Sequence, residues 1–204
     1  MPNFDTSVVT KAVNHIKRRD PVLSELIVRF GPCDYRPSRM RFRLLVGSII
    51  SQQISTAAAR SISKRFNALF TGVVTPEKLL ELSDDDIRSA GISPQKLTYL
   101  KDLAIRVQSG NVSFRRIAKL DDEAVIQELV QVKGIGEWTA QMFLMFGLGR
   151  LDIMPHGDLG IRSAIRNTYG LEDLPDKDEC FRIAEPWRPY STIACLYLWR
   201  IIDG

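Results

Sequence analysis

Residues 129–143 read LVQVKGIGEWTAQMF: two apolar runs at helical spacing, joined by Lys133-Gly134-Ile135-Gly136. Glycines in such a turn permit positive φ and the close approach of another backbone, and the second run would begin with unpaired N–H groups at the positive end of a helix dipole. The segment is therefore either a plain linker between antiparallel helices or a turn that holds an anion such as phosphate. Both readings make its flanks helical, and the same pattern continues outward. Apolar residues recur at three and four positions almost throughout, and alternating β-branched runs are scarce. The fold class that follows is all-α.

Toward the N-terminus, helices are expected from Thr6 to Arg18, Pro21 to Phe30 and Met40 to Ile50, the last with Phe42, Leu45, Val46, Ile49 and Ile50 inward. Ser51-Gln52-Gln53 interrupts this helix, and the chain restarts at Ser55, with Ile54, Ala58, Ile62, Phe66 and Phe70 repeating every four residues along one face. LSDDDIRSAGI (82–92) reads as a short capped helix, and SPQKLTYLKDLAIRVQSG (93–110) carries serine before proline at its start and glycine at its end, the punctuation of a scaffold helix. Beyond the hairpin, Gly147 and Gly149 close the second run. A helix then runs from Asp158 to Gly170, and a final pair spans Lys177 to Glu185 and Ser191 to Ile202.

The 204 residues suffice for one large domain or two smaller lobes, and 45% hydrophobic content supports a packed core. A net charge of +4 and a pI near 9.0 fit an anionic partner without requiring one. Basic residues are spread over several segments, so a binding surface must be assembled by the fold. No run is long and apolar enough for a membrane span and no secretory signal is visible, so no membrane partner is expected, and the expected site is the cytosol, or the nucleoid or nucleus if the protein binds DNA. The three cysteines at 33, 180 and 195 form no C-x-x-C pair and read as reduced structural thiols.

The segment DIMPHGDLGIR (152–162) concentrates turn-forming and polar residues. Pro155, Gly157 and Asp158 can simply close a loop and cap the helix that follows, or the carboxylate can be a catalytic group. His156 can orient a water, contact phosphate or cap the loop. With no second histidine nearby in sequence it makes a poor metal ligand, and His15 reads as an ordinary surface histidine.

Four stretches, taken in order and spacing over residues 35 to 202, resemble one family. LVQVKGIGEWTAQMF is similar to the helix-hairpin-helix motif of a superfamily of DNA glycosylases, and DIMPHGDLGIR to its aspartate-bearing segment. LLVGSIISQQISTAAARSISKRF (44–66) and AEPWRPYSTIACLYLWR (184–200) look like the branch that removes alkylated purines, the 3-methyladenine DNA glycosylase II type. The resemblance implies two helical lobes with a cleft between them, one lobe at 36–150 holding the hairpin and the other built from 1–35 plus 151–204, in a compact form without an N-terminal β domain.

It also implies roles. Asp158, in Pro155-His156-Gly157-Asp158, corresponds to the catalytic aspartate, and Trp138, Met142 and Trp199 to positions of the base pocket. Gln53 becomes the side chain inserted into DNA, with Gln52 in support. Lys133, Gly134, Gly136, Arg162 and Arg166 become phosphate contacts. No cofactor is required, although the family suggests a K⁺ or Na⁺ ion on the backbone carbonyls of Val130, Val132 and Ile135. Relatives that also cut the strand carry a lysine two residues after the G-x-G, where this chain has Trp138, so a monofunctional hydrolase is expected. Its partner would be double-stranded DNA containing damaged bases, engaged by a monomer. Two alternatives stay open: a glycosylase of the same superfamily for another lesion, and a non-catalytic DNA-structure-binding protein that keeps only the hairpin. Trp187 is assigned to the core.

Overall fold

The structure is a computed structural model that describes Asp5 and residues 7–203, with the side chain of Asp203 left aside. Among the described residues it is helical and contains no strand. The helices are α1 (Ser7–Arg19), α2 (Pro21–Phe30), α3 (Arg41–Ser51), α4 (Thr56–Ala68), α5 (Pro76–Glu81), α6 (Asp84–Ser89), α7 (Pro94–Gln108), α8 (Phe114–Ile117), α9 (Asp122–Leu129), α10 (Glu137–Phe143), α11 (Leu159–Tyr169), α12 (Lys177–Ala184) and α13 (Ser191–Asp203). The expected first residue of α1, Thr6, lies outside the described residues. None of these helices is long and apolar enough to cross a membrane.

The starts are set by side-chain caps. Asp20, Ser55, Thr75, Ser83, Ser93, Ser113, Asp121, Asp158 and Asp176 each accept a backbone N–H from the first turn of the helix that follows. Each bond satisfies a donor that the helix itself leaves unpaired. The run after the hairpin does not stay α-helical as its sequence suggests: Leu144–Leu148 form a π-helical turn directly after α10. Within it the Met145 carbonyl accepts both the Tyr35 hydroxyl at 2.6 Å and Gly149 N–H at 3.1 Å. Gly149, at φ 76°, then turns the chain into the 150–158 segment.

By internal contacts the chain divides into two compact units, Ser38–Phe143 and the residues up to Pro37 together with those from Leu144 onward. In the first unit α7 is the central strut. It buries Leu97, Leu100, Leu103 and Ala104 and packs against α3, α5 and α6, while α10 packs against α3 and α9. The stripe on α4 differs from the four-residue repeat of the sequence. Its buried positions are Ala59 and Phe66, and Ile62 is only half-buried. Steps of four residues overshoot the 3.6-residue turn, so Ile54 to Phe70 cannot share one face.

In the second unit α13 packs on α1, α2 and α11. The fully buried Trp187 takes the core role expected of it, and its indole N–H donates to Asp20 Oδ2 at 2.7 Å. The same oxygen accepts the Tyr169 hydroxyl, and Oδ1 caps α2 through Leu23 N at 3.0 Å. Burial and the adjacent Asp20 carboxylate push the Tyr169 phenol well above its ordinary pKa. Asp20 thus serves three donors from a site only 5% exposed. Asp20→Ala strands all three and is expected to cost about 3 to 5 kcal/mol, read as a fall of roughly 10 °C in Tm.

His15 departs from its expectation. It is half-buried, its ring meets Tyr190 edge-on at 5.3 Å, and its Nε2 is buried without a hydrogen bond.

Candidate active site

Asp158 caps α11: its Oδ1 accepts Ile161 N–H at 2.8 Å and the indole N–H of Trp199 at 3.3 Å. The cap and the candidate catalytic carboxylate are thus one group. The segment leading to it is sewn along one face of α13. Thr192 N–H donates to Leu151 O at 2.9 Å, and its hydroxyl donates to Arg150 O at 2.8 Å and accepts Ile153 N–H at 3.1 Å. Cys195 Sγ lies 4.0 Å from Ile153 O and 3.8 Å from Met154 Sδ, and Trp199 reaches Asp158. Positions 192, 195 and 199 share a helix face, so α13 reads the segment residue by residue. At its start Asp152 pairs with Arg188 at 2.9 Å and accepts the Ser191 hydroxyl at 2.6 Å. Full burial drives the Cys195 thiol far above its ordinary pKa, which keeps it an unreactive packing group.

Gly160 makes room for this arrangement. A Cβ there would come to 3.0 Å from Asp158 Oδ1 and 3.6 Å from Trp199 Cδ1. His156 is half-buried and its ring packs on that of Phe181 at 5.6 Å. Leu159, immediately after the carboxylate, is 63% exposed.

In the other unit the hairpin turns at Gly134, with φ 79°. Ile135 N–H closes the turn on Val132 O at 3.0 Å, and the side chains of Val132 and Ile135 are buried. Lys133 and Gly136 are exposed. Helix α7 braces the turn from below: the Tyr99 ring lies against Gly134, and Asp102 Oδ2 accepts Lys133 N–H at 2.9 Å while pairing with Arg106 at 2.9 Å. Gln52 points to the hairpin, its amide donating to Gly134 O at 2.8 Å, whereas Gln53 is exposed. Trp138 is 45% exposed and Met142 is buried, both on α10.

The structure therefore joins Gln52 to the hairpin and Trp199 to Asp158, and it places Trp138 and Met142 in a different unit from Trp199. Arg162 and Arg166 are engaged locally. Arg162 Nε tethers the loop after α11 through Pro175 O at 2.8 Å, and Arg166 bonds the Asn167 side chain at 3.2 Å.

The family of HhH-GPD superfamily base excision DNA repair proteins matches residues 46–189, which include the hairpin, Gln52, Gln53 and Asp158. The chain belongs to the HhH-GPD superfamily. Among its relatives, DNA-3-methyladenine glycosylase 1 of Schizosaccharomyces pombe is 34% identical over 200 residues, 94% of this chain and 87% of that one. YfjP of Bacillus subtilis is 34% identical over 169 residues, 79% of this chain, which spans 59% of that longer protein's length. A solved Schizosaccharomyces pombe 3-methyladenine DNA glycosylase in complex with abasic DNA superposes with a TM-score of 0.83 at 32% identity, covering 95% of this chain and 97% of that one.

For a member of the HhH-GPD superfamily, the residues that sequence reasoning missed are the ones that hold the motif in place. They are Lys96, Tyr99, Asp102 and Arg106, polar positions three and four residues apart on α7. Gln95, Thr98 and Lys101 of the same helix are polar as well, so the spacing alone does not set these four apart. Gly160 and Phe181 left no signal either.

Proposed function

We propose that the protein is a monofunctional DNA glycosylase that excises alkylated purines, of the 3-methyladenine and 7-methylguanine class, to initiate base excision repair. The observation that carries this reading is Asp158: a carboxylate held by the first turn of α11 and by an indole, within a chain related over most of its length to 3-methyladenine glycosylases.

Damaged duplex DNA is gripped through its backbone, with Lys133 and the exposed Gly136 turn meeting phosphate. Gln53 fills the gap as the damaged nucleotide leaves the stack, a step that is least costly for a weakly paired base. The extruded purine carries positive charge, so the C1′–N bond breaks with its electron pair passing to the base, which departs neutral without a general acid. Charge appears on the sugar as an oxocarbenium-like ion, which the fixed Asp158 carboxylate stabilises. Water adds to C1′ and its proton passes to Asp158 or to solvent. Trp199, beside the carboxylate, offers an aromatic face that attracts a cationic base. Trp138 stands where strand-cutting relatives hold a lysine, so no amine is available there to form a Schiff base. The carbonyls of Val130, Val132 and Ile135, an uncharged oxygen set, suit a monovalent cation that would help neutralise the phosphate.

The test is incubation with duplex DNA carrying 7-methylguanine or 3-methyladenine. Free methylated base is expected, with the strand intact until alkali or heat is applied. Binding without release from either lesion would point instead to a non-catalytic DNA-binding protein, and nicking without alkali would overturn the monofunctional assignment.

A further inference from the structure

In the sequence, two loops of the Ser38–Phe143 unit stand apart, the insertion loop at 51–53 and the anion-binding turn at 133–136. The structure ties them together. Helix α3 ends at Ser51, and its terminal carbonyls are taken by one side chain: Lys96 Nζ donates to Ile50 O at 2.8 Å and to Gln52 O at 2.9 Å. Desolvation at this position lowers the lysine pKa from its ordinary value. Gln52 then leaves helical geometry with ψ 133°, and its half-buried side chain donates to Gly134 O.

Gln53 follows at φ 55°, the only residue other than glycine with positive φ among the described residues. A left-handed glutamine persists only where its surroundings over-determine it. Here the chain before Gln53 is held by Lys96 and by the Gln52–Gly134 bond, and the chain after it by Ser55, which caps α4 through Ala58 N at 3.3 Å. The acceptor is itself fixed, because Gly134 lies against Tyr99 and the preceding amide is held by Asp102. Lys96, Tyr99 and Asp102 fall three residues apart on α7, so one helix face supports both loops.

We infer that Gln52 is a positioning residue, not a DNA contact: its amide locks Gln53 to the hairpin, so that the side chain filling the gap and the turn gripping the backbone move as one piece. Phosphate binding at the hairpin would then place Gln53 in the groove without a separate ordering step. This rests on the glycosylase reading, and the experiment separates the two.

Gln52→Met keeps the length of the side chain and removes its donor. It is compared with Gln53→Ala and with the double variant, in the full chain, by single-turnover release of 7-methylguanine from duplex and from single-stranded DNA. Gln52→Met is expected to slow duplex release by about 5- to 30-fold, the loss of one hydrogen bond. Single-strand release, which needs little extrusion, stays within about twofold, and adding Gln53→Ala costs less than about a further twofold, since both changes remove the same action. Full additivity would mean that Gln52 acts on DNA by itself, and an equal loss on single strands would make it merely structural. Either result overturns the inference, as does a duplex rate unchanged by Gln52→Met. If the wild type releases no base, the glycosylase reading fails, while amide hydrogen exchange still decides the tie. Gln52→Met should speed exchange in both 52–55 and 133–136, and unchanged exchange in either segment overturns it.

Discussion

Asp158→Asn is expected to abolish base release while leaving the fold almost untouched. Asparagine is as good an N-cap as aspartate, so its side-chain oxygen keeps the bond to Ile161 N–H and still accepts the Trp199 indole N–H. What disappears is the negative charge. At the helix N-terminus that charge is worth about 0.3 to 1 kcal/mol, a change of no more than about 4 °C in Tm for a chain of this size. At the developing cation on the sugar it is worth far more, because a fixed charge sheltered from water acts without reorganisation. Loss of one such electrostatic group costs at least about 100-fold in kcat.

The expected result is therefore a folded, DNA-binding protein whose single-turnover release falls at least about 100-fold. Asp158→Ala should lose as much activity and, in addition, about 1 kcal/mol of stability from the missing cap. The contrast between the two variants separates the structural duty of the carboxylate from its chemistry. Release by Asp158→Asn at the wild-type rate would leave Asp158 a cap and nothing more.

The ease of reading Asp158 in the sequence, and the difficulty of reading Asp20, have one physical origin. Caps are local: Ser55, Ser93, Asp121, Asp158 and Asp176 each bond a backbone amide three residues on, so a short window contains the whole interaction. The all-α class, the hairpin and the break after Ser51 are local in the same sense. Asp20 also caps locally, but its other partners are Tyr169 and Trp187, 149 and 167 residues away, and no window holds them. The support of the hairpin by α7 is equally non-local. So are the tie from Gln52 to Gly134, the tether from Arg162 to Pro175 and the π-helical turn completed by Tyr35. The resemblance supplied a family and a set of positions. Packing decides which of those positions face outward and which hold the others still.

That division shows most clearly in the two glycines of the hairpin, which the sequence treats alike. Gly134→Ala is expected to damage the protein itself. Its φ of 79° is strained for any L side chain, and an added Cβ would lie 2.1 Å from Tyr99 Cδ2 and 2.5 Å from both Cε2 and Cγ. The ring cannot simply step aside, because it belongs to the buttress of α7 and its hydroxyl accepts the Gln95 amide at 2.6 Å. Left-handed strain and overpacking together cost about 2 to 5 kcal/mol, seen as a fall in Tm of roughly 5 to 15 °C. Binding to undamaged duplex should weaken in parallel, since the Gly134 carbonyl that anchors Gln52 moves with the turn. Replacing Tyr99 by alanine in the same chain removes the clash and keeps the strain, so Gly134→Ala should cost less in that background than in the wild type. Gly136 is the control. It is exposed, its φ is not positive, and a Cβ there would meet nothing within 4 Å. Gly136→Ala should therefore leave Tm within about 2 °C, and any loss of DNA affinity would come from blocking the approach of a phosphate. An unchanged Tm for Gly134→Ala would mean that Tyr99 does not brace the turn. A large drop for Gly136→Ala would show that the open face is part of the fold.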